Sequence, residues 1–272
     1  MQLEDHVGDV LAKARKGLGL EVGELARLAG VSEERYASLE EAGEVAGANL
    51  SALAKRLGLD GAKLSGVAGG WVPAEPDLGV WRELRVVTTE RGMAVNAYLI
   101  WDEVTREAAL FDTGWDAAPL FALIEENDLE LRHIFITHSH GDHVAALAEV
   151  RAKYPKARLH SSAPDVPVNE RNRANDFIHL GSLRITNRAT PGHTADGVTY
   201  VVGTWPEDGP NVAIVGDALF AGSMGGAGAQ LGQARESVQQ QIFSLPADTL
   251  VCPGHGPLTT VGEEREHNPF FL

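Results

Sequence analysis

The stretch THSHGDH, residues 137–143, places three histidines and one aspartate within six consecutive positions. Core packing does not require this composition, because histidine and aspartate are seldom buried without a polar partner. A divalent metal ion would account for it, since imidazole and carboxylate groups are common ligands of such ions. The stretch therefore predicts a metal site, and a metal site requires further ligands elsewhere in the chain.

The position of the stretch favours convergence of its side chains. It follows an apolar run that is predicted as a strand, and a helix is predicted to begin near His143. His138 and His140 are two residues apart, so in an extended segment their side chains share one face. Gly141 permits the sharp turn that brings Asp142 and His143 toward the same point.

Three more residues have the same setting, and two ions would need more ligands than the first stretch supplies. His193 lies in TPGHT, Asp217 in VGDALF and His255 in CPGHGP. Each follows an apolar run, and each has a glycine directly before it. Histidines scattered by chance would not repeat this placement, so these three residues are predicted to complete the site.

The chain divides into two regions of different texture. Residues 1–68 have helical periodicity, with Ser32 and Asn49 as predicted N-caps, and residues 69–80 are rich in glycine and proline and are predicted to be a linker. In residues 81–272 strands alternate with helices, which indicates sheets covered by helices. The predicted helices of this part are Ala117–Asn127, Asp142–Lys153 and Ala234–Phe243.

Composition limits the function classes. The formal net charge of −15 disfavours nucleic acid as a partner over the whole surface. No apolar run approaches the roughly 20 residues of a membrane helix, and the N-terminus lacks the features of a signal peptide. The single cysteine, Cys252, excludes an intramolecular disulfide. We therefore expect a cytoplasmic protein without a membrane partner.

The N-terminal region resembles the helix-turn-helix domains of phage-repressor type. The resemblance is carried by VGELARLAGVSEERYASLEEAG, residues 22–43, and by Arg15 in the first helix. The helix that would read DNA, residues 32–44, has one basic and five acidic residues, so a phosphate-lined groove would repel it. We expect a small all-α domain that does not bind nucleic acid and is a candidate surface for homodimerisation.

Residues 81–272 resemble the metallo-β-lactamase superfamily, closest to the glyoxalase II-like hydrolases and the related persulfide dioxygenases. The matching segments occur in the family's order: NAYLI, FDTG, THSHGDH, TPGHT, GDALFAGSMGG and PGHGPLTTVGEEREHNP. The resemblance implies an α/β fold, a four-layer αββα sandwich of two mixed sheets with helices on both outer faces. The metal site would lie at one edge of the sandwich.

The resemblance also implies roles for the candidate residues. His138, His140 and His193 would hold one metal ion, Asp142, His143 and His255 would hold a second, and Asp217 would bridge them. The ions would be zinc, with iron or manganese as alternatives. A bridging hydroxide oriented by Asp142 would attack a small-molecule thioester, ester or lactone. Asp112 of FDTG would support the metal loop from behind.

Two alternatives to a binuclear hydrolase stay open. A mononuclear iron persulfide dioxygenase would use His138, His193 and Asp217, but the arginine expected after its glycine loop is replaced here by Gly226. A ligand-sensing transcriptional regulator would use the N-terminal domain. Arg171 and Arg173, in a polar loop, are weaker candidates for attracting a substrate carboxylate.

Overall fold

The computed structural model of the chain describes residues 2–173, 176–205 and 209–272. The helices are α1 (Val7–Gly17), α2 (Val22–Ala29), α3 (Glu33–Ala42), α4 (Leu50–Leu57), α5 (Gly61–Ala68), α6 (Ala118–Glu126), α7 (Gly141–Val144), α8 (Leu147–Lys153), α9 (Leu231–Ser237) and α10 (Val261–His267). The strands are β1 (Leu84–Glu90), β2 (Ala94–Trp101), β3 (Glu107–Phe111), β4 (Glu130–Phe135), β5 (Arg158–His160), β6 (Phe177–Leu180), β7 (Leu183–Ala189), β8 (Val198–Gly203), β9 (Val212–Gly216), β10 (Leu250–Pro253) and β11 (Thr259–Thr260). Across these ranges, every helix is too short or too polar to traverse a bilayer.

The strands form two mixed sheets. The first has the order β1-β2-β3-β4-β5, and the second has the order β11-β10-β9-β8-β7-β6. β4 runs parallel to both β3 and β5, and β10 runs parallel to β9. The carboxyl ends of parallel strands meet at one edge of a sheet, so the loops after β9 and β10 leave the second sheet side by side. The two sheets predicted from the sequence are confirmed.

Large apolar side chains fill the space between the two sheets. Phe111 and Phe135 of the first sheet stack with ring centroids 4.9 Å apart, and Tyr200 of the second sheet lies 4.9 Å from Phe135. Ile214 and Cys252 are fully buried in the same cluster. Burying each large apolar side chain contributes about 1.5–3 kcal/mol, so this layer is a main source of the stability of the sandwich.

Helices cover the outer face of each sheet. On the first sheet, α6 and α8 pack on Leu99, Leu110 and Ile134 through Leu120 and Val150. On the second sheet, one continuous apolar cluster joins the N-terminal helices, the sheet and the C-terminal helices, with members that include Leu11, Leu64, Val215, Val251 and Phe270. The N-terminal helices therefore pack directly on the sandwich. The assignment of residues 1–68 as a separate domain stays a prediction.

The N-terminal helices begin where the sequence predicts. The Ser32 hydroxyl accepts a hydrogen bond from the backbone N–H of Arg35 at 3.2 Å, and Asn49 Oδ1 accepts one from Ala52 at 3.1 Å. These contacts are the side-chain caps expected at helix N-termini. Residues 30–32 connect α2 to α3, and α3 is followed by Gly43 in a left-handed conformation.

Arg15 and Arg35, the two arginines discussed for the helix-turn-helix resemblance, both form ion pairs within the N-terminal region. Arg15 donates to both carboxylate oxygens of Glu40, from Nε at 2.6 Å and from Nη2 at 2.8 Å. Arg35, the one base of the would-be recognition helix, donates to Glu44 at 3.0 Å. The helix-turn-helix assignment, the absence of nucleic-acid binding and the homodimer stay predictions.

The helix predicted at Asp142–Lys153 is instead two helices, α7 and α8. The carbonyl oxygen of His143 accepts hydrogen bonds from Thr113, from its N–H at 2.8 Å and its hydroxyl at 3.0 Å. This carbonyl is therefore engaged outside the helix, and the chain re-enters helical structure only at Leu147. The helix predicted at Ala234–Phe243 begins earlier, at Leu231, and continues into a π-helical turn at Val238–Ile242.

Candidate metal centre

The structure brings all seven candidate ligands together at the strand ends. Within each of two groups, the ligand atoms lie no more than 4.8 Å from one another. The first group consists of His138, His140, His193 and Asp217, and the second consists of Asp142, His143 and His255. His138 and His140 lie in the loop after β4, and Asp142 and His143 lie in α7 directly after it. His193, Asp217 and His255 lie in the loops after β7, β9 and β10.

Asp217 lies between the two groups. Its Oδ2 is 3.4 Å from His193 Nε2 and 3.9 Å from His138 Nε2, which belong to the first group. The same oxygen is 3.5 Å from His255 Nε2, and Oδ1 is 3.2 Å from His143 Nε2, both in the second group. One carboxylate thus faces both groups, which is the position that a bridging ligand requires.

Hydrogen bonds hold three of the imidazole rings by the nitrogen that faces away from the cluster. His143 Nδ1 bonds Asp112 Oδ2 at 2.8 Å, His193 Nδ1 bonds the carbonyl of Gly226 at 2.9 Å, and His255 Nδ1 bonds the carbonyl of Ala94 at 2.6 Å. Each acceptor favours a proton on Nδ1 and turns Nε2 toward the cluster, where His193 Nε2 lies 3.0 Å from His140 Nδ1. Burial opposes protonation of His143 and His255, but Asp112 and Asp217 raise the pKa of His143 to about 10, and Asp217 raises the pKa of His255. A cation bound at these Nε2 atoms would therefore displace a proton.

Asp112 is buried directly behind the loop that carries the first histidines. Its Oδ1 accepts a hydrogen bond from the backbone N–H of Thr137 at 2.8 Å, and its Oδ2 accepts one from the Thr137 hydroxyl at 2.7 Å. Its backbone has a positive φ of 56°, an uncommon conformation for a non-glycine residue. These contacts place Asp112 behind the loop, and the supporting role that the family resemblance implies for it stays a prediction.

Three buried polar atoms in the cluster lack a hydrogen-bond partner among the residues that the structure describes. They are Nε2 of His138, Nε2 of His143 and Oδ1 of Asp217. Buried polar groups are normally satisfied, so these converging donor atoms fit a bound cation. Burial and the neighbouring His143 lower the pKa of His138 to about 2, which keeps its imidazole neutral. Burial opposes ionisation of Asp217, but the adjacent imidazoles of His143 and His255 hold its pKa well below the usual range.

Close packing requires a glycine at position 254, directly before His255. A Cβ atom at this position would lie 2.3 Å from Asp217 Oδ1 and 2.5 Å from His143 Cε1. Any side chain would thus displace one residue from each group. The glycine lets β10 pass close enough to the cluster for His255 to join it.

Other predicted residues lie outside the cluster. Arg171 and Arg173 are exposed, and the Arg171 guanidinium donates to the carbonyls of Val166 and Pro164 in its own loop. Their role in substrate binding stays a prediction. His160, which ends β5, is buried and pairs with His133 at 3.0 Å between ring nitrogens, so it does not join the seven residues.

The sequence reasoning missed the residues that hold the glycine-rich loop after β9. Asp5 and Lys13, from the N-terminal region, contact Ser223 and Met224 of this loop. Glu264 and Asn268, near the C-terminus, contact Gly222, Phe220 and Ser223. These contacts join parts of the chain that are far apart in sequence, and no local pattern marks either pair.

Known proteins are similar to this chain in sequence and in fold. The Metallo-beta-lactamase superfamily model matches residues 91–255. Human mitochondrial persulfide dioxygenase ETHE1 is 35% identical over 185 residues, which cover 63% of this chain and 69% of the relative. The hydroxyacylglutathione hydrolase GloC of Haemophilus influenzae is 28% identical over 201 residues, 65% of this chain and 92% of the relative. The crystal structure of ETHE1 from Myxococcus xanthus superposes with a TM-score of 0.60 at 32% identity, covering 68% of this chain and 83% of that one. The chain belongs to the metallo-beta-lactamase superfamily.

Proposed function

We propose that this protein is a binuclear metallohydrolase that cleaves a thioester, or an ester or lactone, of a small molecule. The observation that carries the proposal is the second ligand group. Asp142, His143 and His255 converge to within 4.8 Å, and the two histidine rings are held with their Nε2 atoms toward the cluster. A mononuclear site would not need this second, fully supported set of donors.

Two divalent ions bound here would activate a water molecule and polarise the substrate carbonyl. Two carboxylate side chains would have separate roles. Asp217 would help to hold both ions, because its Oδ2 lies near histidines of both groups and its Oδ1 lies near His143 of the second group. Asp142 Oδ2, 3.1 Å from His255 Nε2, would orient the attacking water from the second group. Histidine and carboxylate donors suit zinc, and they also suit iron and manganese.

The hydrolase relative supports the same reaction class. The similarity to hydroxyacylglutathione hydrolase GloC extends over nearly its whole length. That protein's name indicates a thioester substrate, so a thioester is our first expectation for this chain. Esters and lactones present a similar carbonyl to the site.

A persulfide dioxygenase is the second candidate, because the human enzyme of that name is 35% identical to this chain. Such an enzyme would need one iron in the first group, with His138, His193 and Asp217 as ligands. This alternative leaves the supported donors of His143 and His255 without a role. We therefore rank it below the hydrolase.

Metal content per chain, measured on protein purified without added metal, tests the proposal first. We expect about two ions per chain, and hydrolysis of at least one member of a thioester and lactone panel. The His255→Ala variant should bind about one ion per chain and lose hydrolysis by at least about 10²-fold, because a donor of the second group is missing. The matched control is His179→Ala, which replaces an exposed histidine outside the cluster.

A different set of results would reject the hydrolase. One iron per chain, oxygen uptake with a thiol persulfide, and uptake that survives in His255→Ala would reject the hydrolase and select the dioxygenase. In either case the control variant should behave as the wild type.

A further inference from the structure

The loop 220–226, between β9 and α9, holds two of the candidate ligands. The carbonyl of Gly226 bonds His193 Nδ1 at 2.9 Å, and the backbone N–H of Gly225 donates to the carbonyl of Asp217 at 3.0 Å. A shift of this loop would therefore displace His193 and also Asp217, the carboxylate that lies between the two ligand groups. The loop contains three glycines, whose backbones have more freedom to move than those of other residues.

The N-terminal region holds this loop from one side. Lys13 of α1 donates from Nζ to the carbonyl of Met224 at 2.9 Å, and the Ser223 hydroxyl donates to Asp5 Oδ2 at 2.5 Å. Lys13 and Asp5 also form an ion pair with each other. The two side chains are only 21% and 8% exposed, so the pair is shielded from water.

The same lysine is also connected to the second ligand group through the Phe220 ring. Its Nζ is 4.9 Å from the centre of the Phe220 ring, and that ring contacts the His255 ring edge-on with centroids 5.7 Å apart. Lys13 thus contacts the loop at Met224 and at Phe220. Its contacts lead to His193 on one side and to His255 on the other.

Packing alone does not explain this arrangement. A shielded ion pair gains little net stability, because removing both charges from water costs about as much as their attraction returns. Hydrogen bonds from charged groups are, however, stronger and more directional than neutral ones. Both charged groups direct such bonds at adjacent residues of one glycine-rich loop, which suits them to fixing its position.

We propose that Lys13 and Asp5 are positioning residues of the metal centre, so that the N-terminal helical region completes the site formed by the sandwich. The pair fixes the loop 220–226, and the loop fixes the ring of His193 and the backbone of Asp217. This role requires a metal centre, but it does not depend on whether the reaction is hydrolysis or oxygenation.

The test uses the full-length chain and two measurements that do not rely on turnover. Zinc affinity is measured by competition with a chromogenic chelator, and hydrogen exchange of the loop 220–226 is measured on the metal-free protein. Lys13→Met removes the ammonium group, and Lys13→Arg keeps the charge and hydrogen-bond donors. Lys16→Met is the matched control, because Lys16 is exposed on the same helix.

We expect Lys13→Met to weaken zinc binding by about 10- to 100-fold, the usual effect of removing an outer support of a metal ligand. Exchange in the loop should become at least about 10-fold faster, while exchange in β9 and β10 should stay unchanged. Lys13→Arg should recover most of the affinity, and Lys16→Met should match the wild type.

The double variant Asp5→Asn/Lys13→Gln guards against misfolding, because it leaves no unpaired buried charge. If it folds, with wild-type circular dichroism, and still shows weaker zinc binding and faster loop exchange, the proposal stands. Wild-type zinc affinity and loop exchange in Lys13→Met or in the double variant would overturn it. Failure of the hydrolase assay with these two effects intact would count against the proposed reaction and not against the positioning role.

Discussion

Asp112 Oδ2 lies 2.8 Å from His143 Nδ1, and both side chains are almost fully buried behind the metal centre. The same carboxylate accepts two hydrogen bonds from Thr137, the residue directly before His138. One side chain therefore orients His143 in the second ligand group and anchors the start of the loop that carries the first group.

Asp112→Asn should weaken metal binding and keep the fold. The amide oxygen can still accept the Thr137 N–H, but the amide nitrogen cannot accept a proton from His143 Nδ1. We expect the affinity of the second ion to fall by about 10- to 100-fold, as measured by chelator competition. Asp165→Asn, at an exposed position, is the control. Full retention of both ions in Asp112→Asn would contradict the supporting role.

Alanine substitutions at the adjacent glycines Gly225 and Gly226 should have different effects on zinc binding. A Cβ atom at Gly225 would lie 2.1 Å from the carbonyl oxygen of Asp217 and 2.8 Å from His193 Nδ1, whereas one at Gly226 would meet no atom within 4 Å. Gly225→Ala should displace both ligands and lower zinc affinity by at least about 100-fold, with an overpacking cost of about 1–3 kcal/mol in stability. Gly226→Ala should leave both quantities unchanged.

Titration with zinc and thermal unfolding of the metal-free variants separate these effects. If Gly225→Ala and Gly226→Ala bind zinc equally well, close packing of the loop against His193 and Asp217 is not required. Equal thermal stability combined with weaker binding in Gly225→Ala would still support a role for the loop in the metal centre.

The sequence identifies the ligands better than their supports. His193, Asp217 and His255 are predicted as ligands because each follows an apolar run and a glycine, and the structure brings all three to the strand-end cluster. Asp112 was found only through the family resemblance. Lys13 and Asp5 carry no local signal, because their partners lie more than 200 residues away and the contact depends on how the N-terminal helices pack on the second sheet.

The break between α7 and α8 also depends on a tertiary contact that the local sequence does not reveal. Helical periodicity continues from Asp142 to Lys153, so a single helix is the natural prediction. The break arises because Thr113, thirty residues earlier, bonds the His143 carbonyl. A tertiary contact of this kind overrides local propensity and cannot be read from the helical segment itself.

The buried pair of His133 and His160 should make the free energy of unfolding depend on pH. Burial, with the charge of Arg158, lowers the pKa of His133 to about 4, and burial together with His133 lowers that of His160 to about 3. Both values lie below the value of about 6.5 for an unfolded histidine, so the unfolded chain binds protons first as the pH falls. Their contribution is complete above about pH 6.5 and is lost as the pH falls from there toward 4.

We expect the metal-free protein to lose on the order of 2 kcal/mol from each of the two histidines between pH 6.5 and pH 4.5, as measured by urea unfolding. His133→Gln should reduce this loss, because one titrating group is removed while a hydrogen-bonding partner for His160 remains. His179→Gln, at an exposed histidine, is the control. Parallel pH profiles for wild type and His133→Gln would refute the assignment.

Removal of residues 1–68 should prevent the remaining chain from folding stably. The apolar cluster on the second sheet is shared, with Leu11 and Leu64 on the helical side and Val215, Leu231 and Phe270 on the other. Uncovering several large apolar side chains costs about 1.5–3 kcal/mol each, which approaches the whole stability of a typical domain, about 5–15 kcal/mol. We therefore expect a chain of residues 69–272 to aggregate or to unfold at least about 10 °C below the full-length protein.

Cleavage within the segment 72–77 is the matched experiment, because it cuts the same connection and leaves every apolar contact in place. With a protease site inserted there, the two pieces should co-elute in size-exclusion chromatography and separate only in denaturant. Hydrogen bonds outside the apolar cluster should help to hold them, since Lys63 Nζ donates to the carbonyls of Arg265 and Phe271 at 2.8 and 2.6 Å. A soluble, metal-binding chain of residues 69–272 with the thermal stability of the full-length protein would show that the helical region is an appendage and not a layer of the fold.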